Sequence, residues 1–335
     1  MYLFGALVSG SWLLENLQPS GSFKSRGIGN LMFRAVESAP GGKDDVHFYS
    51  SSGGNAGLAC ATAAKTLGRP ATVVVPLTTP PHMVDKLRGL GADVVQTGEN
   101  WAAADAHLRG TVMPAFETGH AGPARAVYVP PFDHSDIWDG VETLVGELEA
   151  QVPGPGPSGG GDKIDAIVCN VGGGGLMCGI MQGVERIWGP ARGRRPRVLA
   201  VETEGAASLH ASVEAGALVT LPAIRTIATS LGATRVAEEA FAWAARRPGA
   251  GLISAVVSDR EAVVAMARFL DDARMLVESA CGATLATVYN GDLRRHLGPG
   301  LTSAEWAEKN VVVVVCGGSN INLDMLENYR KEFGV

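Results

Sequence analysis

Short apolar runs rich in valine recur along the chain: Val46 to Ser50, Ala71 to Val75, Asp93 to Gln96, Ala126 to Val129, Ile164 to Cys169, Val198 to Val201 and Val311 to Val315. Several are continuous rather than alternating, which is the pattern of parallel strands covered on both faces. Between them lie stretches with helical periodicity: Gly57 to Leu67, Pro80 to Leu90, Ile137 to Ala150, Leu176 to Ile187, Asp259 to Leu270 and Ile321 to Phe333. Alternation of strand and helix throughout predicts an α/β architecture built on parallel sheets.

The length of 335 residues leaves room for two sub-domains, each around its own core. Hydrophobic residues at 46%, charged residues at 19% and 44 glycines suit a compact soluble enzyme with many tight turns. A net charge of −6 supplies no electrostatic attraction to nucleic acid or an anionic membrane, so neither is expected as a partner. The one basic cluster, Arg192-Gly193-Arg194-Arg195-Pro196-Arg197, reads as an exposed loop before a strand. The cysteines Cys60, Cys169, Cys178, Cys281 and Cys316 are odd in number and show no metal-ligand or thioredoxin-like spacing. Most sit in apolar runs as small buried hydrophobes, which favours a reducing, cytoplasmic setting.

Two segments bear on organisation. Met1 to Val8 has the apolar character of a signal peptide without its basic leader and is expected to be a strand or packed arm. Pro153 to Gly161 is a low-complexity stretch and reads as a flexible surface loop. It is not taken as a linker, because the candidate site draws on residues from both sides of it. No apolar run approaches the roughly 20 residues that span a bilayer.

Four small-residue segments carry the chemistry. Ser20-Gly21-Ser22-Phe23-Lys24 holds a lysine in a turn ahead of a helix-forming run. A lysine in a partly dry pocket has a lowered pKa and forms Schiff bases readily. Gly172-Gly173-Gly174-Gly175 follows a strand and opens a helix at Leu176, so its main-chain N–H groups and the helix N-terminus suit a phosphate. The spacing is not Gly-x-Gly-x-x-Gly, and Glu202 lies about thirty residues on rather than about twenty, which disfavours a dinucleotide fold. Ser51-Ser52-Gly53-Gly54-Asn55 is a second anion-binding turn after a strand and suits a carboxylate. Cys316-Gly317-Gly318-Ser319-Asn320 ends the most apolar strand, where Cys316 would present a neutral thiol to a heterocycle nitrogen.

The segment from Glu15 to Gly27, Glu-Asn-Leu-Gln-Pro-Ser-Gly-Ser-Phe-Lys-Ser-Arg-Gly, resembles the lysine motif of the serine/threonine dehydratases, pyridoxal-phosphate enzymes of fold type II. The similarity runs from about Glu15 to the C-terminus. Val129-Pro130-Pro131-Phe132-Asp133 with Ile137-Trp138, Glu202-Thr203, Leu276-Val277-Glu278 and cysteine at position 316 make it most similar to the eukaryotic L-serine dehydratase branch. The resemblance implies a tryptophan synthase β-like fold: two open twisted, mostly parallel sheets with flanking helices. It implies a small domain over 25–128 and a large cofactor domain formed by 1–24 with 129–335. It also implies a homodimer acting on a small amino acid.

Carried over position by position, Lys24 would hold pyridoxal phosphate covalently and Phe23 would lie against one face of its ring, with Ser230 on the other. Asn55 would bond the 3′ oxygen, Gly172, Gly173, Gly174, Gly175 and Leu176 would cradle the phosphate, and Cys316 would face the ring nitrogen. Ser51, Ser52, Gly53 and Asn55 would hold the substrate carboxylate. A monovalent cation, potassium, is implied at Gly172, Glu202, Ala206, Ser208, Leu231 and Ala233.

The reaction implied is α,β-elimination: L-serine to pyruvate and ammonia, with L-threonine to 2-oxobutanoate as the slower case. A neutral thiol at the nitrogen does not stabilise a long-lived carbanion, which favours loss of a β-substituent. Lys24, once freed, would act as general base at Cα. Gly53 stands where racemases and threonine dehydratases carry a serine, so little or no racemase activity is expected. Met1 to Leu14 matches the family poorly, and Ser279 stands where proline is usual. A β-replacement enzyme of the cysteine or cystathionine synthase type, and a cofactor-binding homologue with little catalysis, stay open at this point.

Overall fold

The computed structural model describes residues 9–39, 45–119, 125–152, 163–189, 195–245 and 251–335. The expectations for Met1 to Val8, for Pro153 to Gly161 and for residues 192–194 of the basic cluster lie outside those residues. The chain divides into two compact units, Leu17–Val141 and Met1–Asn16 with Glu142–Val335. Among the described residues the strands are β1 (Ser9–Leu14), β2 (Val46–Ser50), β3 (Ala71–Val75), β4 (Asp93–Gln96), β5 (Arg125–Tyr128), β6 (Ala166–Asn170), β7 (Arg197–Thr203), β8 (Leu252–Val257) and β9 (Asn310–Val315).

The unit Leu17–Val141 is built on a four-stranded sheet of order β4-β3-β2-β5, with all three pairings parallel. The five residues of β3 are all buried because both faces are covered. Val73 and Val75 pack with Met83, Val84 and Leu87, while Val74 packs with Tyr49, Ala104 and Leu108. The helix Asn55–Leu67 comes close to the sheet through Ala56, Ala59, Cys60 and Ala64, joining a core with Ile28, Met32 and Phe48. It stops at Gly68, whose φ of 64° is left-handed.

The second unit carries a five-stranded sheet of order β1-β9-β6-β7-β8, again parallel in every pairing. Its central strand is β6, all five residues of which are buried, and beside it in β9 Val311 to Val315 are each at most 1% exposed. Serving it are two helices, Asp259–Ala273 and Ser279–Tyr289. Ser258 and Glu261 form a reciprocal capping box at the start of the first. The two helices approach so closely that a Cβ on Gly282 would lie 2.6 Å from the Ala262 carbonyl oxygen.

Parallel sheets with flanking helices are what the pattern predicts, and two such sheets are what the family resemblance implies. Several elements escaped that pattern, among them β1, β8 and the helix Ser279–Tyr289. The helix is buried nearly all round, so it has no polar stripe to reveal a 3.6-residue period. All five cysteines are free and buried. Among the described residues no helix is long and apolar enough to cross a membrane.

Candidate functional site

In the unit Leu17–Val141, Lys24 is the first residue of the helix Lys24–Glu37 and Phe23 is its N-cap. Gly21 turns the chain with φ 78°, and its N–H donates to the Gln18 carbonyl at 2.7 Å. The hydroxyls of Ser20 and Ser25 lie 2.7 Å apart, and the Ser20 N–H donates to Ser25 Oγ at 3.0 Å, which fixes the turn to the first helical turn. The Nζ of Lys24 donates to the Pro131 carbonyl oxygen at 2.5 Å and lies 5.1 Å from the centre of the Phe23 ring. The structure therefore brings the lysine motif and the Val129–Asp133 motif together.

The turn after β2 is also closely built. Ser51 is 1% exposed, and Asn55 opens the helix Asn55–Leu67 behind Gly54 as N-cap. A Cβ on Gly57 would lie 1.8 Å from the Ser52 carbonyl oxygen, so only glycine lets the turn fold back on its helix. Ser52 Oγ accepts from the Gly54 N–H at 3.3 Å. The Ser51 hydroxyl donates to Asp105 Oδ1 at 2.7 Å, and the Tyr128 hydroxyl donates to the same oxygen. With its proton so committed, the Ser51 hydroxyl is not a donor for a second anion. Asp105 and Tyr128 went unnoticed in the sequence, because nothing local marks a helix residue and a strand residue that converge on this turn.

In the second unit the glycine run forms a tight passage from β6 to the helix Gly175–Ile187. Gly174 is the N-cap with φ 97°, and a Cβ there would meet Ala240 Cβ at 2.6 Å. A Cβ on Gly172 would lie 3.1 Å from both Leu231 Cα and the Ser230 carbonyl oxygen. The run thus backs directly onto the segment holding Ser230, which is itself exposed. The Ala237 N–H donates to the Gly173 carbonyl at 3.0 Å and ties down the turn from its far side.

Cys316 follows directly on β9 and is 4% exposed. Its thiol is held well above the ordinary thiol range by the neighbouring Cys281 thiol first, then by burial and the charge of Glu278. It is a neutral donor, the state suited to a heterocycle nitrogen. Gly317 and Gly318 follow with φ 86° and 114°, and a Cβ on Gly318 would fall 1.9 Å from Glu278 Cδ. The Asn320 N–H donates to Glu278 Oε2 at 3.3 Å, and its side-chain amide reaches Thr229 Oγ1 at 3.3 Å. The 316–320 turn and the 228–233 segment are therefore neighbours. Asn170, absent from the sequence reading, donates to Cys316 Sγ at 3.0 Å.

Of the positions implied for a cation, Glu202, Ala206 and Ser208 are each 0% exposed and Leu231 3%. Glu202 accepts from the Leu209 N–H at 2.8 Å and the His210 N–H at 2.7 Å. Burial pushes its carboxyl up to about 7 against those bonds. The Ser208 hydroxyl is buried with no hydrogen-bond partner. Among the described residues, no group of three or more His, Cys, Asp or Glu could hold a metal ion.

The model for the family described as pyridoxal-phosphate dependent enzymes matches residues 8–317. The chain belongs to that family. The residues of each unit fit the cofactor's chemistry: in Leu17–Val141 a lysine at a helix start, and in the other unit a glycine turn that opens a helix and a buried thiol held neutral. Among curated relatives, an L-serine dehydratase/L-threonine deaminase of Bos taurus is 44% identical over 323 residues, covering 96% of this chain and 89% of the relative. A catabolic L-serine/threonine dehydratase of Saccharomyces cerevisiae is 39% identical over 314 residues, covering 93% and 83%. Among solved structures, a fungal L-serine ammonia-lyase from Rhizomucor miehei superposes with a TM-score of 0.81 at 36% identity, covering 97% of this chain and 93% of that one. Maize serine racemase, at 26% identity, gives 0.76 over 96% and 87%.

Proposed function

We propose that this pyridoxal-phosphate dependent enzyme is an L-serine ammonia-lyase that converts L-serine to pyruvate and ammonia, and L-threonine more slowly to 2-oxobutanoate. The observation that carries the reaction type is the buried, protonated Cys316 thiol. When bound, pyridoxal phosphate supplies an electron sink for the substrate's Cα. A neutral partner at the ring nitrogen limits how long charge resides there, which favours departure of the β-hydroxyl over exchange at Cα.

On this reading Lys24 would hold the cofactor, and its Nζ, when free, would accept the Cα proton of the substrate. Phe23 and Ser230 would lie against the ring, and Asn55 would bond its 3′ oxygen. Gly172 to Leu176 bind the phosphate through main-chain N–H groups and the N-terminus of the helix Gly175–Ile187. The turn from Ser51 to Asn55 receives the substrate carboxylate. Since the Ser51 hydroxyl already donates to Asp105, the main-chain amides of the turn carry most of that contact. Gly53 offers no acid or base opposite the lysine.

A monovalent cation, taken here as potassium, belongs at Glu202, Ser208 and the carbonyl oxygens of Gly172, Ala206, Leu231 and Ala233. The unpartnered Ser208 hydroxyl and the buried Glu202 carboxyl support it. The enzyme is read as a cytoplasmic homodimer, in keeping with its buried free cysteines and with the family resemblance. Sedimentation of the purified chain tests the dimer.

The test of the activity is release of pyruvate from L-serine with no second substrate present. A β-replacement enzyme would release product only when a nucleophile is added, and a cofactor-binding homologue without catalysis would release none.

A further inference from the structure

Asn170 is the last residue of β6, 4% exposed, two positions ahead of the glycine turn. Its Nδ2 makes two hydrogen bonds, to the Ala280 carbonyl at 2.7 Å and to Cys316 Sγ at 3.0 Å. An amide NH₂ has two protons and no acceptor capacity, so both contacts run in one direction. The Ala280 carbonyl fixes which end of the amide faces the sulfur, since a flipped amide would set two oxygens against each other. Sulfur is thus the acceptor in the pair. The single thiol proton of Cys316 is left to point elsewhere.

Two other groups compete for that proton. The Gly317 carbonyl is 3.9 Å away, at the limit of a contact. Cys281 lies beside Cys316 on the helix Ser279–Tyr289, and a thiol sulfur is a weak acceptor. An aromatic nitrogen lone pair is a far better one and displaces either.

We infer that Asn170 is a positioning residue for Cys316, engaging the sulfur lone pair so that the S–H is left to serve as a donor to the heterocycle nitrogen. The inference rests on the reading of Cys316 as the partner of that nitrogen. It also gives β6 a double duty: its last residue orients the group at the nitrogen, and the next residues form the phosphate turn.

The test uses the purified apoprotein and pyridoxal phosphate itself, with dissociation constants from titration and the absorbance spectrum of the bound cofactor at pH 8. Asn170→Asp keeps the shape and reverses the polarity, so the carboxylate draws the thiol proton away from the ring. Asn170→Leu is the second variant if the aspartate does not fold. It removes the donor and leaves the Ala280 carbonyl to attract the S–H. Either change is expected to weaken cofactor binding roughly tenfold, the scale of losing one buried hydrogen bond, and to alter the spectrum. In a Cys316→Ala background the same substitutions are expected to change affinity less than about threefold, because there is no thiol left to misdirect.

Wild-type affinity and spectrum in both Asn170 variants would overturn the inference. So would a tenfold loss that persists in the Cys316→Ala background, since Asn170 would then act on the fold rather than through the thiol. If the unaltered chain takes up no cofactor on Lys24, the underlying reading fails, and that failure is seen before any Asn170 variant is made.

Discussion

The Ser51 hydroxyl and the Asp105 carboxylate form a 2.7 Å hydrogen bond, and the Tyr128 hydroxyl shares the same Asp105 oxygen, also at 2.7 Å. Arg109 closes the group, 3.7 Å from the other carboxylate oxygen and 5.2 Å from the Tyr128 ring centre. Burial first, then Asp105, pushes the Tyr128 phenol up to about 12, so it remains a donor at working pH. Asp105→Ala leaves two hydroxyls without an acceptor and is expected to cost about 1–3 kcal/mol. Tyr128→Phe removes one bond and should cost about 1 kcal/mol. Urea unfolding reads both. Because the cluster holds the turn proposed to receive the substrate carboxylate rather than the lysine, steady-state kinetics should show KM for L-serine rising more than kcat falls.

Glu202 makes stability depend on pH. Its carboxyl is raised by burial from 4.5 to about 7, so the folded protein holds a proton that the unfolded chain releases. The contribution is complete below about pH 4.5 and is lost as pH rises to about 7, by roughly 3 kcal/mol at most. Glu202→Gln should flatten that part of the urea-midpoint profile. Potassium, which favours the charged carboxylate, should shrink the fall in the parent protein, and sodium or lithium at equal ionic strength should do so less.

Gly53 is boxed in by Thr79. A Cβ at position 53 would lie 2.7 Å from Thr79 Cγ2 and 2.9 Å from its Oγ1. Gly53→Ala alone is expected to destabilise by about 1–3 kcal/mol through overpacking, and to approach neutrality in a Thr79→Ala background. On the proposed reading, glycine at position 53 supplies no acid or base opposite Lys24. Chiral chromatography after incubation with L-serine should therefore detect pyruvate and no appreciable D-serine.

The fold was legible where residue type and element agree. The valine runs β3 and β9 are buried on both faces, and their lack of alternation said so directly. Each small-residue motif also falls at a strand end or helix start, where tight turns and close packing leave little room for a Cβ. What the sequence hid depends on distance along the chain. The strand β1 pairs with β9 some 300 residues away, and its Ser-Gly-Ser start gives no β signal. The partners of the site were hidden for the same reason. Asp105 approaches Ser51 across 54 residues, and Asn170 approaches Cys316 across 146, so neither shows as a local motif. The role of Ser51 illustrates the gap. The sequence identifies a hydroxyl at an anion-binding turn, and only the structure shows where its proton goes.

The account depends most on Lys24 carrying the cofactor, and reduction of the purified holoenzyme with borohydride followed by peptide mapping tests this directly. The expected result is one pyridoxyl group, on the peptide containing Ser22-Phe23-Lys24, with a Lys24→Ala variant unlabelled and unable to release pyruvate from L-serine. A label on another lysine, or an unmodified Lys24 in an active enzyme, would contradict it.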